Sequence, residues 1–304
     1  MLLKPLEVRN GVSPSRVYLP EGTYSTVLDF LELRFSRGTR LGWERRMLQG
    51  RVFDQRGMPI APNSPYTPRC LIFYYRELQE ESQIPFMERV IYEDERIVVA
   101  DKPHFLPVTP IGPYIQETLL VRLRNRLGIE HLSAVHRLDL ETAGLVLFTK
   151  QVGLRNTYAA LFREQAVKKI YQAIAPYQPS LSLPITRSSR IERAERFMQM
   201  QEVLGQANAH TLIRILDQHK DLARYQLEPL TGKKHQLRLH MSALGVPIFN
   251  DQIYPVLQEY IEPSLRTYNH PLQLLAQELH FTDPITSQRQ FFQSSYTLDF
   301  PVIR

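Results

Sequence analysis

Apolar runs of strand character follow one another through most of this chain without a helix between each successive pair, and this order constrains the fold more than any other feature. Residues 90–92 and 97–100 flank the polar turn 93–96 as a hairpin. Further runs lie at 145–148 and 170–175, in a ribbon made by 209–216 and 223–230, and late in the chain at 272–281 and 290–298. Helical spacing appears only between some of them. Residues 116–127 place Leu119, Leu120, Leu123 and Leu127 on an apolar side with Arg122, Arg124 and Arg126 around the rest. Another helix is expected at 153–165, and a third at 235–244, stopped by Gly245 and Pro247. A doubly wound parallel sheet needs regular strand–helix alternation, which is missing, so the pattern specifies an α+β fold on a mixed, largely antiparallel sheet.

The N-terminal part reads differently. Val27, Leu28, Leu31 and Phe35, then Leu41, Trp43, Met47 and Leu48, give two short helices leading to a strand at 51–53. Pro59, Pro62, Pro65 and Pro68 punctuate the chain before an apolar strand at 70–75, and the polar, acidic residues that follow read as a linker. The expected organisation is a small α/β module at 1–76, a linker at 77–88 and a larger domain at 89–304. Across the helices Arg34, Arg37, Arg40, Arg45, Arg46 and Arg51 outnumber Asp29, Glu32 and Glu44, which makes this a candidate phosphate-facing surface.

Composition and missing motifs remove several classes. With 304 residues, 43% of them hydrophobic, the chain can bury a sizeable core without disulfides, and its single cysteine, Cys70, suits a reducing cytoplasm. No apolar run reaches the length of a signal sequence or membrane span. The formal charge of +6 favours an anionic partner. Glycine-rich phosphate loops, Gly-x-Gly-x-x-Gly, His-Glu-x-x-His and Gly-x-Ser-x-Gly are all absent, so no nucleotide cofactor is expected. His131/His136 and His235/His240 are each five apart, a spacing that does not stack two ligands on one helical face, and no metal site is expected.

The stretch most suited to chemistry is His136-Arg137-Leu138-Asp139-Leu140-Glu141-Thr142-Ala143-Gly144, which runs straight into the apolar strand at 145–148. A carboxylate between two leucines at the mouth of a buried strand needs a cation and hydrogen-bond donors to stay ionised. Arg137 and Thr142 are the local candidates. Such a carboxylate suits a nucleophile or base, and equally a buried ion pair that fixes the turn.

Together with Asp101-Lys102-Pro103, Lys168-Lys169-Ile170-Tyr171-Gln172-Ala173, Thr231-Gly232-Lys233-Lys234-His235-Gln236-Leu237-Arg238-Leu239-His240 and Pro247-Ile248-Phe249-Asn250-Asp251, this stretch resembles the RluA-type RNA pseudouridine synthases. The resemblance spans roughly residues 90–292, and its motifs occur in the family's order. Residues 23–53 also resemble the small ribosomal-protein-like RNA-binding module that often precedes this catalytic domain. The resemblance implies cofactor-free isomerisation of uridine within RNA: the N1 glycosidic bond breaks, the uracil turns, and C5 bonds to C1′. It makes Asp139 the catalytic aspartate, as nucleophile or as base. Tyr171 would stack on the uracil near C5, and Arg238 would pair with the aspartate. On its helix Arg238 stands off the stripe of Leu237, Met241 and Leu244 and is expected to point into a basic cleft.

Arg137, His136, Thr142, Lys169, Lys233, His235 and Gln236 are the implied substrate- or RNA-binding positions, with Arg45 and Arg46 in the N-terminal module. The base must swing out of its stack to reach these groups. Departures from the family pattern are Ala143 for Ser, Lys233 for Arg, Asn250 for Gly, and His104-Phe105 after Pro103. The implied partner is RNA, ribosomal first and transfer second. A non-catalytic RNA-binding or ribosome-assembly protein on the same fold is the alternative.

Overall fold

The computed structural model describes residues 6–35, 39–76, 80–196 and 198–301, which leaves Arg37 outside the described residues. The chain divides into two compact units, residues 1–81 and 82–304. In the first, β1 (Ser15–Tyr18), α1 (Val27–Arg34), α2 (Arg40–Leu48), β2 (Val52–Phe53) and β3 (Leu71–Tyr74) form a three-stranded antiparallel sheet, ordered β1-β3-β2, with two helices. A capping box fixes the start of α1: the Thr26 side chain accepts from the Asp29 amide while Asp29 accepts from the Thr26 amide. Leu28, Leu31, Trp43, Met47, Val52 and Ile72 fill the core.

The second unit contains β4 (Arg89–Glu93), β5 (Ile97–Lys102), α3 (Leu119–Leu127), β6 (Ser133–Ala134), β7 (Ala143–Thr149), α4 (Arg155–Arg163), β8 (Lys168–Pro176), β9 (Ile185–Arg193), β10 (Met200–Val203), β11 (Ala209–His219), β12 (Leu222–Pro229), α5 (Gln236–Ala243), β13 (Leu274–Thr282) and β14 (Arg289–Gln293). Among the described residues these strands make one eleven-stranded sheet, ordered β10-β9-β11-β12-β8-β13-β7-β5-β4, with β14 beside β13 and β6 beside β7. The sheet is antiparallel except where β13 meets β7. This is the mixed, largely antiparallel α+β architecture expected from the order of the apolar runs.

Both faces of β5 and β7 are covered, which is why these strands read as unbroken apolar runs. Val98, Ala100, Val146 and Phe148 pack towards Leu119, Leu120 and Leu123 of α3, whereas Ile97, Val99, Leu145 and Leu147 pack with Tyr158 of α4. A third cluster joins Ala173, Tyr225 and Leu227 to Leu237 and Met241 of α5.

Several expectations change. Residues 84–88 are packed on α3 rather than forming linker: Arg122 donates to the Ile84 carbonyl, and the buried Glu88 carboxylate pairs with Arg122 and Arg126. Arg124 is buried instead of lying on the open side of α3, because its guanidinium caps the Leu132 carbonyl. The last strand ends at Gln293, where Ser294 and Ser295 turn their hydroxyls onto the buried Asp101 carboxylate. Strands β1, β9 and β10 had no apolar signature; β9 carries Arg, Ser and Glu on its open face.

Candidate active site

Asp139 sits in the loop between β6 and β7, with its side chain 31% exposed. Two neighbours from the end of β5 hold that loop by its carbonyls. Lys102, wholly buried, donates from Nζ to the carbonyls of Pro103, Leu106 and Leu140 at 3.0, 2.8 and 3.1 Å. His104 places Nδ1 2.6 Å from the Glu141 carbonyl, which can only accept, so this nitrogen carries the proton. Burial brings Lys102 down to about 7, partly opposed by the charges of Asp139 and Glu141, and brings His104 down to about 4. The Thr142 amide closes the turn on the Asp139 carbonyl at 3.2 Å.

The strand order brings Tyr171 to this loop. Ala276 of β13 pairs with Gly144 of β7 on one side and with Tyr171 of β8 on the other. Gly144, where the chain has just left the Asp139 loop, and Tyr171 are therefore at the same level of the sheet, about two strand spacings (~10 Å) apart at the backbone. Gly144 makes the close approach possible: its φ is +112°, and a Cβ there would lie 2.3 Å from the Ala276 carbonyl oxygen. Tyr171 is half-buried, and burial, reinforced by the Asp139 charge, raises its pKa, so it presents a neutral hydroxyl and a ring face.

Arg238 enters from α5, which starts after His235 in a left-handed conformation at φ 56°. Its side chain is 2% exposed and meets three carboxylates. Nε and Nη2 hold Asp251 in a fork at 2.8 and 2.5 Å, Nη2 lies 3.3 Å from Glu141, and Nη1 lies 3.6 Å from Asp139. Burial alone would lower the proton affinity of the guanidinium; Asp251, Asp139 and Glu141 outweigh it, and the group is held above its ordinary value. Burial conversely raises the Glu141 carboxyl, opposed chiefly by Arg238.

The expectation for Arg238 is thus corrected in part. It does approach Asp139, but its hydrogen bonds belong to Asp251 and Glu141, and it is buried rather than pointing openly into a cleft. The cation beside Asp139 is this distant arginine and not the neighbouring Arg137, which is exposed.

The remaining candidates divide. His235 is buried, with Nε2 3.9 Å from Asp139 and Nδ1 3.2 Å from the Tyr254 hydroxyl; burial lowers it to about 4, so it is a neutral neighbour of the aspartate. Lys233 is exposed, and the half-buried Lys169 donates to the Thr231 carbonyl at 3.4 Å. Gln236, expected at the RNA, is buried with both ends occupied: Oε1 accepts from Thr231 and Lys233, and Nε2 donates to the His210 carbonyl and to Thr211. His136 likewise supports the loop, since its ring stacks on Phe162 at 4.3 Å and Nε2 accepts from the Leu147 amide. Thr142 is buried beneath the turn. In the other unit Arg45 is exposed, while Arg46 lies over the Trp43 ring, 4.8 Å from its centroid.

Sequence reasoning gave no role to Glu141, Asp251, Lys102, His104 and Tyr254. All but Tyr254 stand within or beside the motif stretches. The missing signal was a partner, because a carboxylate read alone does not reveal which cation it meets.

Residues 96–243 match the family model for RNA pseudouridylate synthase. A dual-specificity RNA pseudouridine synthase RluA of Haemophilus influenzae is 31% identical over 217 residues, covering 69% of this chain and 93% of that protein. The ribosomal large subunit pseudouridine synthase D of Pseudomonas aeruginosa is 29% identical over 245 residues, 74% of each chain. Among solved structures, human RNA pseudouridylate synthase domain containing 4 superposes with a TM-score of 0.53 at 25% identity, covering 68% of this chain and 88% of that one. The chain belongs to the RluA-type family of RNA pseudouridine synthases. It is an isomerase that acts on RNA, not the non-catalytic binding protein of the alternative reading.

Proposed function

We propose that Asp139 supplies the oxyanion for uridine isomerisation, with Tyr171 and Arg238 as its partners in catalysis. The observation that carries this assignment is the buried Arg238 guanidinium 3.6 Å from Asp139 on a loop pinned by its carbonyls, supported by a neutral Tyr171 phenol that feels the Asp139 charge. Arg238 is fixed by Asp251 and Glu141 before substrate arrives, so no reorganisation is needed as charge shifts at the aspartate. Tyr171 offers a ring on which uracil can stack and a protonated hydroxyl near the turning base. We assign the holding of the flipped nucleotide and its backbone to the exposed Arg137 and Lys233 and to His235, 3.9 Å from Asp139.

The substrate class we favour is ribosomal RNA, with transfer RNA second. The relatives include one named for the large ribosomal subunit and one named dual-specificity, which supports both pools. We assign RNA binding also to the first unit, through Arg45 and Arg46 on α2. Action on RNA and a lone cysteine support a cytoplasmic setting.

The test is pseudouridine mapping by chemical labelling and primer extension on rRNA and tRNA from cells with the gene, without it, and with Asp139→Asn alone. The expected result is one or more uridine sites that lose their signal in both defective strains. Sites that persist with Asp139→Asn would remove Asp139 from its role.

A further inference from the structure

The site has a charge problem. Three carboxylates, Asp139, Glu141 and Asp251, surround Arg238, and the other close cation, Lys102, is buried and spends its donors on three carbonyls. An RNA backbone brought against this set meets net negative charge unless another cation stands at the edge.

The segment after Asp251 provides one. Tyr268 anchors it: its ring packs edge-on against Phe86 at 5.3 Å and Phe105 at 5.2 Å, and its hydroxyl donates to the Gln83 carbonyl at 3.3 Å. Phe105 adjoins His104, which grips the Glu141 carbonyl, so the anchor and the catalytic loop share one support. Two residues before Tyr268 comes Arg266, whose amide closes a turn on the Pro263 carbonyl at 3.3 Å. After Arg238, its charge also opposes the effect of burial on the Glu141 carboxyl.

Among the described residues, the buried side-chain nitrogens without a hydrogen-bond partner are Trp43 Nε1, the Nε of Arg46, Arg96, Arg155 and Arg224, and one terminal guanidinium nitrogen, Nη1 of Arg266. A buried N–H left unpaired is destabilising, and a terminal Nη is the part of arginine that grips an oxyanion.

We propose that Arg266 is an RNA-binding residue of the active site, whose half-buried guanidinium, with Nη1 unpartnered, grips a phosphodiester oxygen of the substrate strand beside the flipped uridine. This rests on the placement of the reaction at Asp139. The contact sets one positive charge against one phosphate at the edge of the carboxylate set, so it acts on RNA capture and leaves the isomerisation step to Asp139, Tyr171 and Arg238.

The experiment uses the full chain and [5-³H]uridine-labelled total RNA from cells lacking the gene, with tritium release as the rate. Arg266→Ala is expected to raise KM about tenfold at physiological salt with kcat within twofold of wild type. The slope of log(kcat/KM) against log[salt] should become shallower by about 0.7, the increment for one phosphate on a single strand. Arg266→Lys should recover most of the salt slope, because it restores the charge but not the fork. A fall in kcat at unchanged KM, or an unchanged salt slope, would overturn the proposal. Asp139→Asn run in parallel isolates the underlying assignment: tritium release by that variant removes Asp139 without touching Arg266. If the wild-type chain releases no tritium from this RNA, filter binding of the same RNA by wild type and Arg266→Ala reads the same slope difference, and equal slopes reject the phosphate contact.

Discussion

Gly144→Ala should damage this enzyme through geometry alone, since it adds one methyl group and changes no charge. At φ +112° an alanine is strained by roughly 1–3 kcal/mol. Its Cβ would stand 2.3 Å from the oxygen and 2.6 Å from the nitrogen of Ala276, both backbone atoms. Relief to ordinary contact needs about 1 Å of strand separation, and forced overpacking of this kind costs a further ~1–3 kcal/mol. The expected loss is therefore about 2–6 kcal/mol, read as a lower urea midpoint at unchanged slope. The same 1 Å lies between the strand that leads out of the Asp139 loop and the strand that pairs with Tyr171, and a misplacement of that size costs on the order of 100-fold in rate. Tritium release at saturating RNA under folding conditions measures it. A variant within 1 kcal/mol of wild type and within threefold in rate would refute the claim that the contact of β7 with β13 sets the distance between aspartate and tyrosine.

Other outcomes follow from the same contacts. Asp139→Asn should fold and bind RNA with wild-type affinity while losing at least ~10³-fold in pseudouridine formation, measured by tritium release alongside filter binding. Arg238→Met should lose both stability, by about 3–5 kcal/mol on urea unfolding, and rate, because it leaves the buried Asp251 and Glu141 carboxylates without their cation; Asp251→Asn combined with it should recover part of the stability. His136 and His240 are held by burial at about 3 and about 4, below the ordinary value of 6.5. In the window between those values the unfolded chain binds more protons than the folded one. Their contribution is therefore complete above pH 6.5 and lost as pH falls towards 4. Urea midpoints should drop between pH 7 and pH 5, less steeply in His240→Gln, and a flat profile over that range would contradict the burial of neutral imidazoles.

Much of this architecture is written locally. Helices α1, α3 and α5 and strands β5, β7 and β12 carry their own apolar periodicity, and Thr26 and Thr118 cap helices by bonds to amides three residues on. The polar strands β9 and β10 carry no such mark, because one face is open and the pairing of β9 with β11, and of β10 with β9, supplies their order. The ordered motifs likewise point to Asp139, Tyr171 and Arg238. They did not show that Arg238 is gripped by Asp251, that Lys102 and His104 hold the loop by its carbonyls, or that Gln236 and His136 face inward. Hydrophobic periodicity and capping act between residues a few positions apart, so a linear chain records them. Which cation meets which carboxylate depends on strand order and on the removal of water from between them, and only the assembled sheet fixes both.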